Sequence, residues 1–455
     1  MSLNLEWSEG QVVGTINAAL TPDAAASLGG AFGTMLGEGA LVVTARDNYP
    51  PSRMLKRAFS AGLMSVGVSV MDFHAATTPE LVFAIKRLGA KAGIQFTVAS
   101  LDRDSVAIRF FDSQGFALSA ERIEELVEWA RAGRVVRSLP SAIGWVTYAE
   151  YVHDISAAAV AGYLNVGAIA GRHLRVVCDV NFGPASDVLP NLLSELGIEG
   201  ILLNAHKPPV RGTVTHMPHP RSVAMLGSVV KATGASLGAS LCADATRVLL
   251  VDDEGRPLSA EEVACLLIAN HPPGTRVVVS ESMSSVVDEA GERAGAKVVR
   301  VRDTMHDMLR VARRTGAHLV VNGGNEVVFT DFSYSPDGML TTLKVLEMIA
   351  SSQRELSSLR DDLPKPQLVH RTVNLPGVDY LAVLRTLHRE ARDAVITITG
   401  LRVRVGGVWV NIEAKPEKLE LTCEGVEGAE EALDKLERRI SILTRELARA
   451  EGPVC

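Results

Sequence analysis

Cys242-Ala243-Asp244-Ala245-Thr246-Arg247 runs into the leucine and valine stretch Val248–Val251 and then the turn Asp252-Asp253-Glu254-Gly255-Arg256. Small residues alternate here around one carboxylate, just before a strand-like run, which is the outline of a cation-binding loop. A hard divalent ion such as Mg²⁺ takes several oxygen ligands in near-octahedral array. One carboxylate beside a thiol and a hydroxyl supplies too little charge for it. The loop has the shape of a metal site whose chemistry is reduced to Asp244.

The rest of the chain carries this reading outward. With 455 residues, 47% of them hydrophobic, the sequence fills more than one core. The net charge is −7 and aromatics make up 5%, with no long Lys/Arg cluster, so a nucleic-acid partner has no electrostatic support. No run of about 20 apolar residues occurs and the start lacks a basic segment followed by an apolar one, so no membrane partner is expected and a cytoplasmic location is. Cys178, Cys242, Cys265, Cys423 and Cys455 are odd in number and scattered, without a CxxC pair. They read as reduced thiols.

Apolar runs at 41–44, 65–71 and 93–98 alternate with helical patterns at 51–62 and 79–88, the rhythm of a mainly parallel, two-sided sheet. It restarts with strands at 174–180, 200–203 and 235–239 around a helix at 189–196. It restarts again with strands at 275–279, 297–301 and 317–321 around helices at 284–294 and 304–315. A helical stretch over 148–166 links the first two units, and another at 351–363 runs into Pro364-Lys365-Pro366, a stiff linker. The last segment has strands at 395–399, 401–405, 408–412 and 418–422, a Gly406-Gly407 hairpin turn and a closing amphipathic helix over 429–449. The expected domains are 1–147, 148–250, 251–364 and 365–455.

Landmarks in a fixed order give this architecture a family. Ala45-Arg46-Asp47 ends a strand, Thr78-Pro79 opens a helix, and Asp179-Val180-Asn181-Phe182-Gly183, Asp337-Gly338-Met339-Leu340 and Trp409-Val410 follow. With the loop at Asp244, which is similar to D-G-D-A-D-R, they resemble the motifs of the phosphohexomutases, the phosphoglucomutases, phosphomannomutases and phosphoglucosamine mutases, over nearly the whole chain. The resemblance implies an α/β fold: three similar mixed α/β domains around a cleft plus a smaller C-terminal α+β domain. It also implies a phosphoserine activated by Mg²⁺.

The residues at the family's working positions differ. An ungapped count puts Ala99 at the reactive serine and Ser100 at the histidine after it, and a one-residue slip in a strand turns a side chain to the opposite face. Ser100 therefore reads as a loop serine, and as the nucleophile only of a divergent mutase. Val13 stands for a phosphate-holding arginine and Tyr49 for another. The sugar loop becomes 321–326, with Asn322 and Gly323, or in a gapped count Asn325 and Glu326, at its glutamates. Glu413 replaces the arginine of a shortened distal phosphate loop, where a carboxylate repels a dianion.

The candidate substrate contacts are Arg247, Asn325, Glu326 and Lys415, with Asp244 the metal remnant. Cys242 reads as a small buried residue, and Asp102 and Asp104 as solvated loop charges. His206, His216 and His219 carry metal-ligand chemistry, but the neighbouring prolines bar a helix that would align them. Since phosphoryl transfer relies on positioning and charge neutralisation, the expected function is a phosphohexomutase-like pseudoenzyme. It would act as a binding or regulatory subunit, homo-oligomeric or paired with an active mutase paralogue, and take a phosphosugar or other small anion. No cofactor is expected, and Mg²⁺ enters only if the chain is an active mutase using Ser100.

Overall fold

The computed structural model describes residues 5–149, 151–206, 214–302 and 304–450. The first sheet is built from β1 (Glu6–Ser8), β2 (Gln11–Thr15), β3 (Leu41–Arg46), β4 (Ser69–Ala75), β5 (Ala92–Ala99), β6 (Asp102–Asp112) and β7 (Val146–Tyr148). Their order is β1-β2-β6-β5-β3-β4-β7. β5, β3, β4 and β7 run parallel, as the alternation of strands and helices requires, and β6, β2 and β1 add an antiparallel side. Every residue of β5 is buried, so this strand carries the chain through the centre of the unit. The helix Thr78–Arg87 that precedes it starts at a capping box in which Thr77 and Glu80 each satisfy the other's backbone N–H.

The second sheet holds β8 (Arg175–Asp179), β9 (Glu199–Leu203), β10 (Leu237–Leu241) and β11 (Val248–Val251), ordered β11-β10-β8-β9. The third repeats that plan with β12 (Arg276–Ser280), β13 (Lys297–Val301), β14 (Leu319–Val321) and β15 (Val327–Phe329), ordered β13-β12-β14-β15. In both, three parallel strands end in one antiparallel edge. One continuous apolar core joins these two units, running from Ala157 on the linking helix to Leu356. The fourth sheet is wholly antiparallel: β16 (Leu368–Asn374), β17 (Ala394–Ile396), β18 (Gly400–Val405), β19 (Val408–Lys415) and β20 (Lys418–Glu424), ordered β16-β20-β19-β18-β17. The helices Tyr380–Glu390 and Ala429–Ala450 contribute to its apolar core.

The three α/β units and the smaller fourth domain follow the sequence reading, with three local corrections. The 148–166 stretch is not one helix: its start is the edge strand β7, and separate helices Val152–Tyr163 and Val166–Ala170 follow because Leu164 adopts extended backbone. The run at 65–71 begins with a helix end and a turn at Gly67, whose φ of 78° lies in the left-handed region, so β4 starts only at Ser69. The stretch at 351–363 divides into the helices Gly338–Ser352 and Leu356–Asp361 at Gln353, φ 55°. Gly406 and Gly407 both take positive φ between β18 and β19, the turn their sequence calls for. Among the described residues no helix is long and apolar enough to cross a membrane. Cys178, Cys242, Cys265 and Cys423 are free thiols, and Cys455 lies outside the described residues.

Candidate functional site

The loop after β10 folds back on itself, with the Cys242 N–H donating to the Arg247 carbonyl (3.1 Å) and the Ala245 N–H to that of Cys242 (3.0 Å). Ala245 takes φ 61° to close it. Asp244 is thereby pushed out of the second unit into the first and is fully buried. Its Oδ1 accepts from Thr246 Oγ1 at 2.8 Å and from Cys242 Sγ at 3.1 Å, and lies 3.1 Å from His216 Nε2, which in turn stands 3.2 Å from Arg109 Nη2. Its Oδ2 accepts from Thr78 Oγ1 at 3.0 Å and is ion-paired with the Arg109 guanidinium of β6. The Thr78 N–H also donates to the Asp244 carbonyl at 3.0 Å.

Burial alone would raise the Asp244 carboxyl, but the Arg109 guanidinium, with His216 beside it, overrides this and holds it well below the usual carboxylate range. Burial lowers His216, against the pull of Asp244. Burial and the neighbouring carboxylate push the Cys242 thiol up to about 12, so it stays protonated and donates. The donor set fits Mg²⁺ poorly. Asp244 is the sole carboxylate of the His216–Cys242–Asp244 cluster, and a guanidinium already neutralises it. These three groups lie within 4.8 Å of one another, but only one is a hard oxygen donor.

β5 and β6 meet in a tight turn: Ala99 pairs with Asp102, leaving only Ser100 and Leu101 between the strands. The turn presents no extended loop for a phosphoryl group. Its Leu101 is buried in the apolar cluster of the fourth domain, together with Met217, Leu381, Leu384 and Leu421. Tyr49, at an expected arginine position, donates its hydroxyl to the Arg103 carbonyl at 2.8 Å. Asp47 fixes the strand end, its Oδ2 accepting from the Val98 N–H (2.7 Å) and Thr97 Oγ1 (3.0 Å). Arg103 pairs with Asp379 at 3.2 Å, and Arg385 with Asp102 at 3.1 Å. Asp102 is thus an interdomain partner rather than a solvated charge, whereas Asp104 is exposed as expected.

The remaining candidates do not converge. Arg247 pairs with Glu326 at 2.9 Å, and Glu326 also accepts from Asn322 at 2.6 Å, so this glutamate is held inside the protein. Asn325 takes φ 64° at the tip of the same loop and faces a cleft of about 880 Å³ between the third unit and the fourth sheet. Ser282, Thr399, Arg402 and Glu413 line that cleft as well. Lys415 is turned to Glu413 at 2.7 Å, which neutralises the cation expected to meet an anion. His216 joins Asp244, but His219 caps the helix Pro220–Thr233 and His206 packs edge-on against Phe182, so the three histidines form no site. Sequence reasoning missed Arg109 and Thr78 as partners of Asp244. The one available signal was that a lone buried carboxylate needs a cation from elsewhere.

Family models described as phosphoglucomutase/phosphomannomutase alpha/beta/alpha domains I, II and III match residues 8–134, 149–255 and 260–366. A probable phosphoglucosamine mutase of Methanopyrus kandleri is 30% identical over 406 residues, covering 87% of this chain and 88% of the relative. A phosphoglucomutase/phosphomannomutase of Thermococcus kodakarensis is 29% identical over 452 residues, covering 96% and 98%. The crystal structure of a phosphoglucomutase/phosphomannomutase family protein from Burkholderia thailandensis shares the fold, with a TM-score of 0.73 at 23% identity over 98% of each chain.

Proposed function

Because the chain belongs to the phosphoglucomutase/phosphomannomutase family, we propose that it keeps the family scaffold without interconverting hexose phosphates, and serves in the cytoplasm as a binding or regulatory subunit. One observation carries this reading: the Asp244 carboxylate is buried against Arg109, Thr78 and His216, so the charge a metal ion would neutralise is already paired with a protein cation. Phosphoryl transfer draws its rate from cations placed around the migrating group. Here Val13, Tyr49 and Glu413 stand where cationic side chains are expected, Ala99 stands at the serine, and Lys415 is tied to Glu413. No cofactor is required on this reading. The ligand is a phosphosugar or other small anion taken without turnover.

The mutase names of the relatives favour a second reading, an active enzyme using Ser100. The purified chain, given glucose 1-phosphate, a trace of glucose 1,6-bisphosphate and Mg²⁺, separates the two. Pseudoenzyme behaviour is no product above the uncatalysed rate and an intact mass without phosphate. Turnover abolished by Ser100→Ala, with a phosphoryl group on Ser100, overturns the proposal.

A further inference from the structure

The fourth sheet is polar where it looks across the cleft at the third unit. Alternate residues of β19 and β20 line that wall, and the register sets them in three rows: Trp409 beside Glu424, one step beyond the Val410–Cys423 pair, then Asn411 opposite Thr422, then Glu413 opposite Glu420. At about 3.4 Å per residue, the first and last rows stand about 13 Å apart along the strands. Each end of the strip carries carboxylate and its middle carries neutral acceptors. Two carboxylates directly opposite on neighbouring strands repel, and a cation between them relieves the last row.

Charge around the cleft points the same way. Eight carboxylates and five cations line it, and each of the cations, Arg256, Arg300, Arg360, Lys365 and Arg402, already pairs with a carboxylate at 2.6–3.6 Å. Glu281 on the facing wall and Glu424 have no cation among the described residues, and Glu424 accepts from Ser285 Oγ at 2.9 Å. Arg404, Lys415 and Lys418 do not line the cleft, although the two lysines pair from outside with Glu413 and Glu420 at 2.7 and 2.8 Å. Thr397, on the wall near Asn325, is 3% exposed, and its hydroxyl has no partner among the described residues, so a bound donor would satisfy it. A cleft with negative charge in excess concentrates cations. An ammonium group is held best where an indole face and a carboxylate meet, as at Trp409 and Glu424.

We propose that this strip is a binding site for a linear polyamine. One terminal ammonium group sits on Trp409 between Glu424 and Glu281, an inner amine at Asn411 and Thr422, and the far end at Glu413 and Glu420. The ligand lies extended along β19, and the carboxylates that hold it repel a phosphate dianion. The inference stands apart from the anion reading above: Arg247 and Lys415 do not line the cleft, and a chain that turned over hexose phosphates would carry the strip just as well.

Calorimetric titration of the full chain with spermidine, a triamine, at about 0.15 M salt, where diffuse attraction is screened, tests it. Saturable one-to-one binding is expected, weakened at least tenfold by Trp409→Leu and by Glu424→Gln. Glu431→Gln, which removes an equal charge at an exposed position of the closing helix, leaves it unchanged. Binding that is absent, that never saturates, or that falls as much in Glu431→Gln overturns the proposal, and so does binding retained in both strip variants. If Trp409→Leu fails to fold, the Glu281→Gln/Glu424→Gln pair decides: a loss of at least tenfold upholds the site and full affinity refutes it. A failed titration sinks this site alone and leaves the turnover assay, which decides between pseudoenzyme and mutase, untouched.

Discussion

Arg109 and Asp244 are the pair on which the first and second units meet. A buried carboxylate that loses its cation keeps the full desolvation cost, so Arg109→Met is expected to lower stability by about 3–5 kcal/mol, and the Arg109→Met/Asp244→Asn pair to recover much of it. Urea unfolding of the four proteins in that cycle measures the coupling; a loss under about 1 kcal/mol in the single variant would mean the pair is solvated after all. Asp337 makes a second case with the opposite sign. Burial pushes its carboxyl from 3.8 up to about 7, so the folded protein binds that proton more tightly than the unfolded chain. The stability this contributes is full below about pH 4 and is lost as pH rises through 7. Asparagine keeps an acceptor for the Leu340 N–H, which Asp337 holds at 2.9 Å. Asp337→Asn should therefore be more stable than wild type by on the order of 1–2 kcal/mol at about pH 8 and no more stable below about pH 4, in thermal melts at both values.

Among elements, the β5–β6 hairpin does the most to shape the molecule. Truncating its buried tip, Leu101→Ala, removes an apolar anchor between the first and fourth domains and is expected to cost about 2–4 kcal/mol. Hydrogen exchange should speed up selectively in the helix Tyr380–Glu390, and a uniform effect over the whole chain would contradict the anchoring role. The hairpin also marks the limit of what a sequence discloses. The first strand of that hairpin was legible, because the apolar run at 93–98 is a local signal and the structure forms β5 over Ala92–Ala99. The loop at Asp244 was legible too, since its signal is local. The partners were not: Thr78 lies 166 residues from Asp244 and Arg109 lies 135, and no periodicity spans such distances. β7 was hidden for another reason. Val146, Thr147 and Tyr148 precede a helix and blend into its apolar pattern, and only pairing with β4 makes them a strand.

At the scale of the whole molecule, the fourth domain is pinned on two sides. Leu101, Arg103 and Asp102 hold it to the first unit. On the third unit, buried Arg402 donates to the Ser282 carbonyl at 2.9 Å and pairs with Glu261 at 2.7 Å. A molecule so fastened has little room to open around a ligand, and small-angle scattering is expected to be the same with and without added hexose phosphate. Mg²⁺ is the sharper probe. A site loaded at about 100 times its dissociation constant would add about 2.7 kcal/mol of stability, whereas this chain should show no shift in melting temperature with millimolar Mg²⁺ against a sodium control of equal ionic strength. A clear upward shift would show that metal reaches Asp244 in spite of Arg109.

The pairing at Asp244 also bears on redesign of the loop. Exchanging Cys242 for an aspartate would set a second anion beside Oδ1, where the thiol now stands 3.1 Å away, while removing Arg109 first would strand the anion already there. Each change alone leaves an uncompensated buried charge, so the carboxylate's built-in counterion ties the two positions together: a magnesium cage can be built here only by changing both at once.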